Sequence, residues 1–409
     1  MKQRSFGCLV FGQCLANAGD VFYIVALISL VYSVTGSTLF VSLVPFTNTL
    51  TMFVSGLIAP ILLDRFSLKK VLVYSQLIKT LLLMALAVYA MVFIQPATIT
   101  LLFLLVGLIS FFDGWASPAR SSMIPRLVPR DQLVKANSLV SITDQSIQLG
   151  GWALGGIILS SFGSTGMFWI TFSVYMLSTL MMGFIVDRKH ANWQEKQGNA
   201  LRKAMVEGWQ IIFKNRALRT IHLLMVFETV ASTAWLSAVL YVFIRERLKT
   251  GVAWWGYLNT AFFIGMLLAG FVGYRSALIK NRPILTVVTG SGMVCLTTLF
   301  FGFNTVPWVA LLLIAANGIF DQLKGISLQV ILQTTADDRM LPKIYSTQNA
   351  LVTLVFGLST VAAGAVSDRF NIIFTFIGAS VLLMISFVIL LKKKNTLITE
   401  QHETTSDVQ

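Results

Sequence analysis

Residues 112–113 read Phe-Asp inside one apolar run, and residues 320–321 read Phe-Asp inside another, 208 positions later (321 − 113 = 208). The same offset carries Leu133, Lys135 and Ser138 onto Leu341, Lys343 and Ser346, and Gly156 and Phe162 onto Gly364 and Phe370. Matches that keep one spacing across several segments describe an internal duplication. A duplicated, very apolar chain with carboxylates inside its hydrophobic runs is how many secondary transporters are built, with the substrate path between the halves.

Composition places the chain in a membrane. Of 409 residues, 56% are hydrophobic and only 12% charged, and the mean hydropathy is +0.77; soluble domains carry about 25% charged residues. About 20 helical residues cross the hydrocarbon core. Twelve segments meet that length, near 7–33, 39–63, 71–93, 98–119, 132–161, 165–186, 216–244, 252–274, 283–303, 306–330, 341–366 and 370–391. The expected fold is an all-α polytopic membrane protein with twelve transmembrane helices in two pseudo-symmetric six-helix bundles. Its parts are a first bundle over 1–190, a cytoplasmic linker over 191–215, a second bundle over 216–395 and a disordered tail over 396–409.

The net charge of +14 reports orientation and excludes a nucleic-acid partner. With both termini in the cytoplasm, 25 of the 31 Lys and Arg fall on the inner side and four outside, with Lys79 and Lys324 inside segments. That asymmetry is the positive-inside pattern of a cytoplasmic membrane protein. Arg245, Arg247 and Lys249 fall outside against the pattern, where they pair with Glu246 or bind anionic lipid. Lys2, Arg4 and Ala16-Asn17-Ala18 imitate a cleavable leader, but the apolar run continues to Val31 and reads as an uncleaved first helix. Cys8, Cys14 and Cys295 lie in apolar segments without ligand spacing, and the three histidines are scattered. No metal, cofactor or catalytic constellation is expected, so the chain is not read as an enzyme.

The polar stretch from Asp187 to Arg219 divides the two halves and reads as an amphipathic helix on the inner surface, with Trp193 and Trp209 at the interface. The outer connections, such as Ser33 to Thr38 and Gln95 to Thr98, are short and uncharged. They leave no room for an external receptor domain.

Five carboxylates sit inside segments: Asp20, Asp113, Asp144, Glu228 and Asp321. A charge in lipid costs at least about 2.5–3.5 kcal/mol on insertion scales, so these groups face protein or a water-filled cavity. Gln13, Asn17 and Asp20 form one polar stripe on the first helix, and Glu228, Ser232 and Trp235 form a row on segment seven, its repeat partner. Desolvation favours the neutral form of such a carboxyl group, which lets it exchange a proton near neutral pH. Asp20 and Glu228 are therefore the candidates for proton coupling, with Gln13, Asn17 and Trp235 beside them in the substrate cavity.

The remaining charges read as gates or structural pairs. Asp113 and Arg120 lie two turns apart on one face, and Asp321 and Lys324 one turn apart. Asp144 is placed to meet Arg120 across helices, and Lys79 either snorkels or pairs with an acid. Gly150-Gly151-x3-Gly155-Gly156 in segment five and Gly265, Ala269 and Gly273 in segment eight are small-residue faces for close helix packing.

Between segments two and three the chain reads Gly56-x7-Asp64-Arg65-Phe66-x2-Lys69-Lys70. This loop resembles the signature loop of the major facilitator superfamily, which implies that Asp64, Arg65, Lys69 and Lys70 pair with neighbouring helix ends and regulate cytoplasmic opening. Ser117-Pro118-Ala119-Arg120, Ile124-Pro125, Val128-Pro129-Arg130-Asp131-Gln132-Leu133 and Ala136-Asn137-Ser138 resemble the segment-four-to-five junction of its drug:proton antiporter-3 branch. That branch includes macrolide efflux pumps and the enterobactin exporter. The resemblance implies a proton antiporter in a bacterial cytoplasmic membrane, expelling a small amphiphilic compound such as a macrolide. Protons and membrane lipids would be its other partners, and a monomer its unit. An exporter of an endogenous siderophore, peptide antibiotic or lipid, and a non-transporting membrane sensor, are the alternatives.

Overall fold

The computed structural model describes residues 2–36, 38–92, 99–187, 200–235, 237–251, 253–275, 279, 281–369 and 372–406. The Gln95–Thr98 connection, linker positions 191–199 with Trp193, Phe370 and residues 407–409 lie outside that set. The described residues are almost wholly helical, with no strand among them. In lipid this is the expected solution, because a helix satisfies its backbone polar groups within one segment.

The first half comprises α1 (Lys2–Thr35), α2 (Thr38–Arg65), α3 (Leu68–Val92), α4 (Ile99–Leu127) and α5 (Leu133–Gly183). α5 runs for 51 residues, enough for two spans, and breaks at Gly163, where φ is 66° and ψ is 177°. Only glycine adopts that conformation readily. The chain thus makes its fifth and sixth spans on either side of a single-residue corner at Gly163. α6 (Ala200–Lys214) is the amphipathic linker helix.

The second half comprises α7 (Arg216–Ser232), α8 (Ser237–Glu246), α9 (Ala253–Arg275), α10 (Pro283–Phe303), α11 (Pro307–Thr335), α12 (Leu341–Arg369) and α13 (Ile372–Ser406). Asn215 caps α7 by accepting from the Leu218 amide at 2.8 Å. Pro283 and Pro307 open α10 and α11 at the position where a missing N–H costs nothing. The seventh span, continuous in hydropathy, is broken into α7 and α8 by a 3₁₀ turn at Thr233–Trp235. α13 continues through polar residues 395–406, where composition suggested a disordered tail. Extending a formed helix needs no new nucleus, and Leu, Glu and Gln extend it well.

Among the described residues nine helices are long and apolar enough to cross a membrane. With the two arms of α5, the α7–α8 pair and α12, the helices give the twelve spans of an all-α membrane fold.

The chain forms two compact units. The first contains Met1–Pro129, Ser146–Trp209 and Asp338–Ala350; the second contains Arg130–Gln145, Gln210–Asp337 and Leu351–Gln409. In the first, Tyr23, Leu27, Leu83, Leu86, Leu102, Val106, Phe168 and Tyr175 pack α1, α3, α4 and the second arm of α5 together. In the second, Phe243, Leu258, Phe301, Ile314 and Phe376 form the corresponding core. The start of α5 belongs to the second unit and the start of α12 to the first, so each unit holds a short piece of the other half's sequence.

Small residues set how closely these helices approach. Gly151 and Gly155 lie against Val21 and Val25 of α1, where an added Cβ would fall 3.2 and 3.3 Å from the valine side chains. Gly270 and Gly273 of α9 seat Ile142 and Ser138 from the start of α5. The small faces of segments five and eight are packing faces, and the α5–α9 meeting uses residues earlier in α5 than the glycine pairs.

Candidate functional site

The first unit builds an ion cluster from three helices. Lys79 of α3 is buried, its side chain 1% exposed, and its Nζ donates to Asp20 Oδ1 of α1 at 3.0 Å and to Asp113 Oδ1 of α4 at 2.5 Å. Tyr175, from the second arm of α5, donates its phenol proton to Asp20, and Lys79 Nζ lies 5.1 Å from the centre of its ring. Gly19 makes this possible, since any Cβ there would overlap the Tyr175 ring. One helix up the same wall, Gly114 lets Ser55 of α2 press against α4, where Ser55 Oγ donates to the Phe111 carbonyl at 2.5 Å.

The second unit repeats the arrangement. Lys324 Nζ of α11 lies 3.2 Å from Glu228 Oε2 of α7 and 2.8 Å from Asp321 Oδ1, one turn before it. The carboxylates obey the duplication: 20 + 208 = 228 and 113 + 208 = 321. The lysines do not. The repeat position of Lys79 is Val287 and that of Lys324 is Ala116, so each half neutralises the same carboxylate pair from a different helix.

The exposure pattern decides what these triads can do. The Asp20 and Asp113 side chains remain 33% and 32% exposed, while their lysine is sealed behind them; Lys324 is 5% exposed beside Asp321 at 41%. A fully ionised triad carries one net negative charge, presented on its open side. Such a site can accept one proton or the cationic group of a ligand, and it repels anions.

Other expectations resolve as follows. Gln13 Nε2 donates to Asn17 Oδ1 at 2.7 Å, and both share the half-buried face of α1 with Asp20. Asp113, grouped by spacing with Arg120, joins Asp20 through Lys79, whose buried ammonium is compensated by both carboxylates. Asp321 does pair with Lys324, yet the pair is completed by Glu228 and so belongs with the residue that spacing had set apart from it. Trp235, expected in the substrate cavity, is half-buried against the second core, 4.7 Å from Phe301 and 5.4 Å from Phe376 between ring centres. Arg120 and Asp144 are half-buried on α4 and α5. Arg65 and Lys70 are exposed and Lys69 is half-buried at the α2–α3 turn, where Lys70 N lies 3.4 Å from Ser67 Oγ. The Asp64 side chain lies outside the described residues. Tyr175 and Gly19 carried no signal of their own, whereas adding 208 to 20 exposes the Asp20–Glu228 relation directly.

Membrane-length helices in two repeats, each holding a lysine-bridged carboxylate pair in its interior, define a polytopic membrane transport protein. The chain belongs to the Major Facilitator Superfamily, whose family model matches residues 9–361. It is 30% identical over 386 residues to the uncharacterized MFS-type transporter YfmI of Bacillus subtilis, covering 94% of this chain and 95% of that protein. The multidrug efflux pump Tap of Mycolicibacterium fortuitum is 26% identical over 392 residues, 93% of each chain. The fold matches a bacterial homologue of the iron transporter ferroportin, solved in its outward-facing state, with a TM-score of 0.79 at 11% identity, covering 96% of this chain and 99% of that one. The protein is therefore a multi-pass membrane transporter of that superfamily and not an enzyme.

Proposed function

We propose that the chain is a proton-coupled efflux transporter of a bacterial cytoplasmic membrane, with both termini inside, exporting a neutral or cationic amphiphile by alternating access. The observation that carries this reading is the pair of repeat-related triads, each with one excess negative charge on its open side. Proton and cationic cargo compete for the same carboxylates, so loading one releases the other. Alternating access converts that competition into exchange. Asp20 and Asp113 in the first half, and Glu228 and Asp321 in the second, are the competing groups, and Lys79 and Lys324 hold each pair together. A siderophore or phosphate-bearing cargo would need available cations, and both intramembrane lysines are buried and engaged. The likeness to a multidrug efflux pump supports an export direction.

The test is accumulation of a labelled macrolide in pump-deficient bacteria expressing the chain, with and without a protonophore. Active export should hold accumulation below that of empty-vector cells. The protonophore, Asp20→Asn and Glu228→Gln should each return it to the empty-vector level. Export that survives both substitutions at normal expression removes the triads from coupling. No export of macrolide by well-expressed protein removes that cargo.

A further inference from the structure

We propose that α6 is a latch that clips the start of α12 into the first unit. α6 joins the two halves in sequence, and three features fix it to α12. Glu207 Oε2 lies 2.8 Å from Lys343 Nζ, with the lysine side chain 9% exposed. Gly208 sits so close that an added Cβ would overlap Thr347 Oγ1 and come within 2.9 Å of the Lys343 carbonyl oxygen, so the two backbones touch. Val206 and Trp209 then line an open pocket of about 210 Å³ with Pro60 of α2 and Thr347 and Ala350 of α12. Beneath them Gly56 brings α2 to within van der Waals distance of Ala350, 3.4 Å from where its own Cβ would stand.

The duplication supplies an internal control. Leu133 and Leu341 are both fully buried, as are Ser138 and Ser346, so the two repeat segments pack alike. Lys135 is exposed, but its repeat mate Lys343 is buried. A linker between halves exists once, so only the second copy of this lysine meets a Glu207. Lys343 is thus buried by the latch and not by the fold of the repeat. Residues 338–350 belong in sequence to the second half. Their place in the first unit must therefore be given up whenever the two six-helix halves separate at that end, and Glu207–Lys343 breaks with it. α6 biases the transporter toward the clipped state. This rests on membership of the superfamily and is independent of proton coupling.

Ala350, 2% exposed, reports the latch. In a background with Cys8, Cys14 and Cys295 changed to Ser, Ala350→Cys is reacted with N-ethylmaleimide in membranes, without substrate. Glu207→Gln and Gly208→Leu should each raise its labelling rate about five- to tenfold. The exchange Glu207→Lys with Lys343→Glu should bring it back toward the parent. A parallel Leu27→Cys probe, in the fully buried core, should stay unreactive in every variant. Unchanged labelling at position 350 in both single variants overturns the latch. An equal rise at position 27 also overturns it, because the effect is then loss of the fold. Loss of export in Asp20→Asn with the labelling contrast intact would separate this result from the coupling reading.

Discussion

At the scale of single residues, the decisive group is a charge that has no business in lipid unless its neighbours cancel it. Lys79 is sealed from solvent and bridges two carboxylates on two other helices. Removing it leaves two like charges facing each other. Lys79→Met should lower stability by roughly 1–3 kcal/mol, the cost of breaking a buried pair reduced for the one-third exposure of both acids. Lys79→Met with Asp113→Asn should recover part of that loss; melting in detergent measures both. Gly19→Val forces the Tyr175 ring away from α1 and breaks its bond to Asp20, with an expected cost of about 1–3 kcal/mol by overpacking. Asp20 was legible from its stripe with Gln13 and Asn17, because helical spacing is local. Tyr175 was not, because 155 residues separate it from Asp20 (175 − 20 = 155) and only packing brings the two together.

At the scale of elements, hydropathy located the spans but not their interruptions. Segments five and six were separable in sequence at Ser161–Gly166, and the structure turns that corner on Gly163 alone. Gly163→Ala puts a Cβ into a backbone region that only glycine tolerates, for about 1–3 kcal/mol. The expected outcome is a lower melting temperature with unchanged helix content by circular dichroism. Segment seven read as one apolar run over 216–244, yet it breaks at Thr233–Trp235, five residues beyond Glu228 (233 − 228 = 5). Broken helices of this kind are tolerated in membrane proteins where neighbours re-satisfy the freed backbone groups. Apolar composition cannot announce such a break, since the turn is as hydrophobic as the helices it joins. Trp235 closes that turn and packs half-buried on the aromatic core.

At the scale of the whole molecule, the duplication keeps the four acids of the triads in register and does not keep their two lysines. If the triad is a property of the repeat, a lysine at the position that supplies it in the other half should serve. Lys324→Ala should destabilise the second half, and adding Val287→Lys, the repeat position of Lys79, should raise the melting temperature of that variant again. No recovery would mean that the two triads are not interchangeable. The sequence by itself determined the membrane setting, the twelve spans, the two-fold repeat and the carboxylates inside it, because composition, periodicity and a constant offset are properties of the chain read in order. Apart from Asp321 and Lys324, one turn apart on one helix, the tertiary structure decided which charges meet. Lys79 reaches Asp20 and Asp113 across three helices, Lys324 gathers Glu228 to Asp321, and α6 buries one lysine of a repeated pair while leaving the other in the open. All but the Asp321–Lys324 contact join residues far apart in sequence. An ion pair in a low-dielectric interior is fixed by distances of a few ångströms that no local pattern encodes.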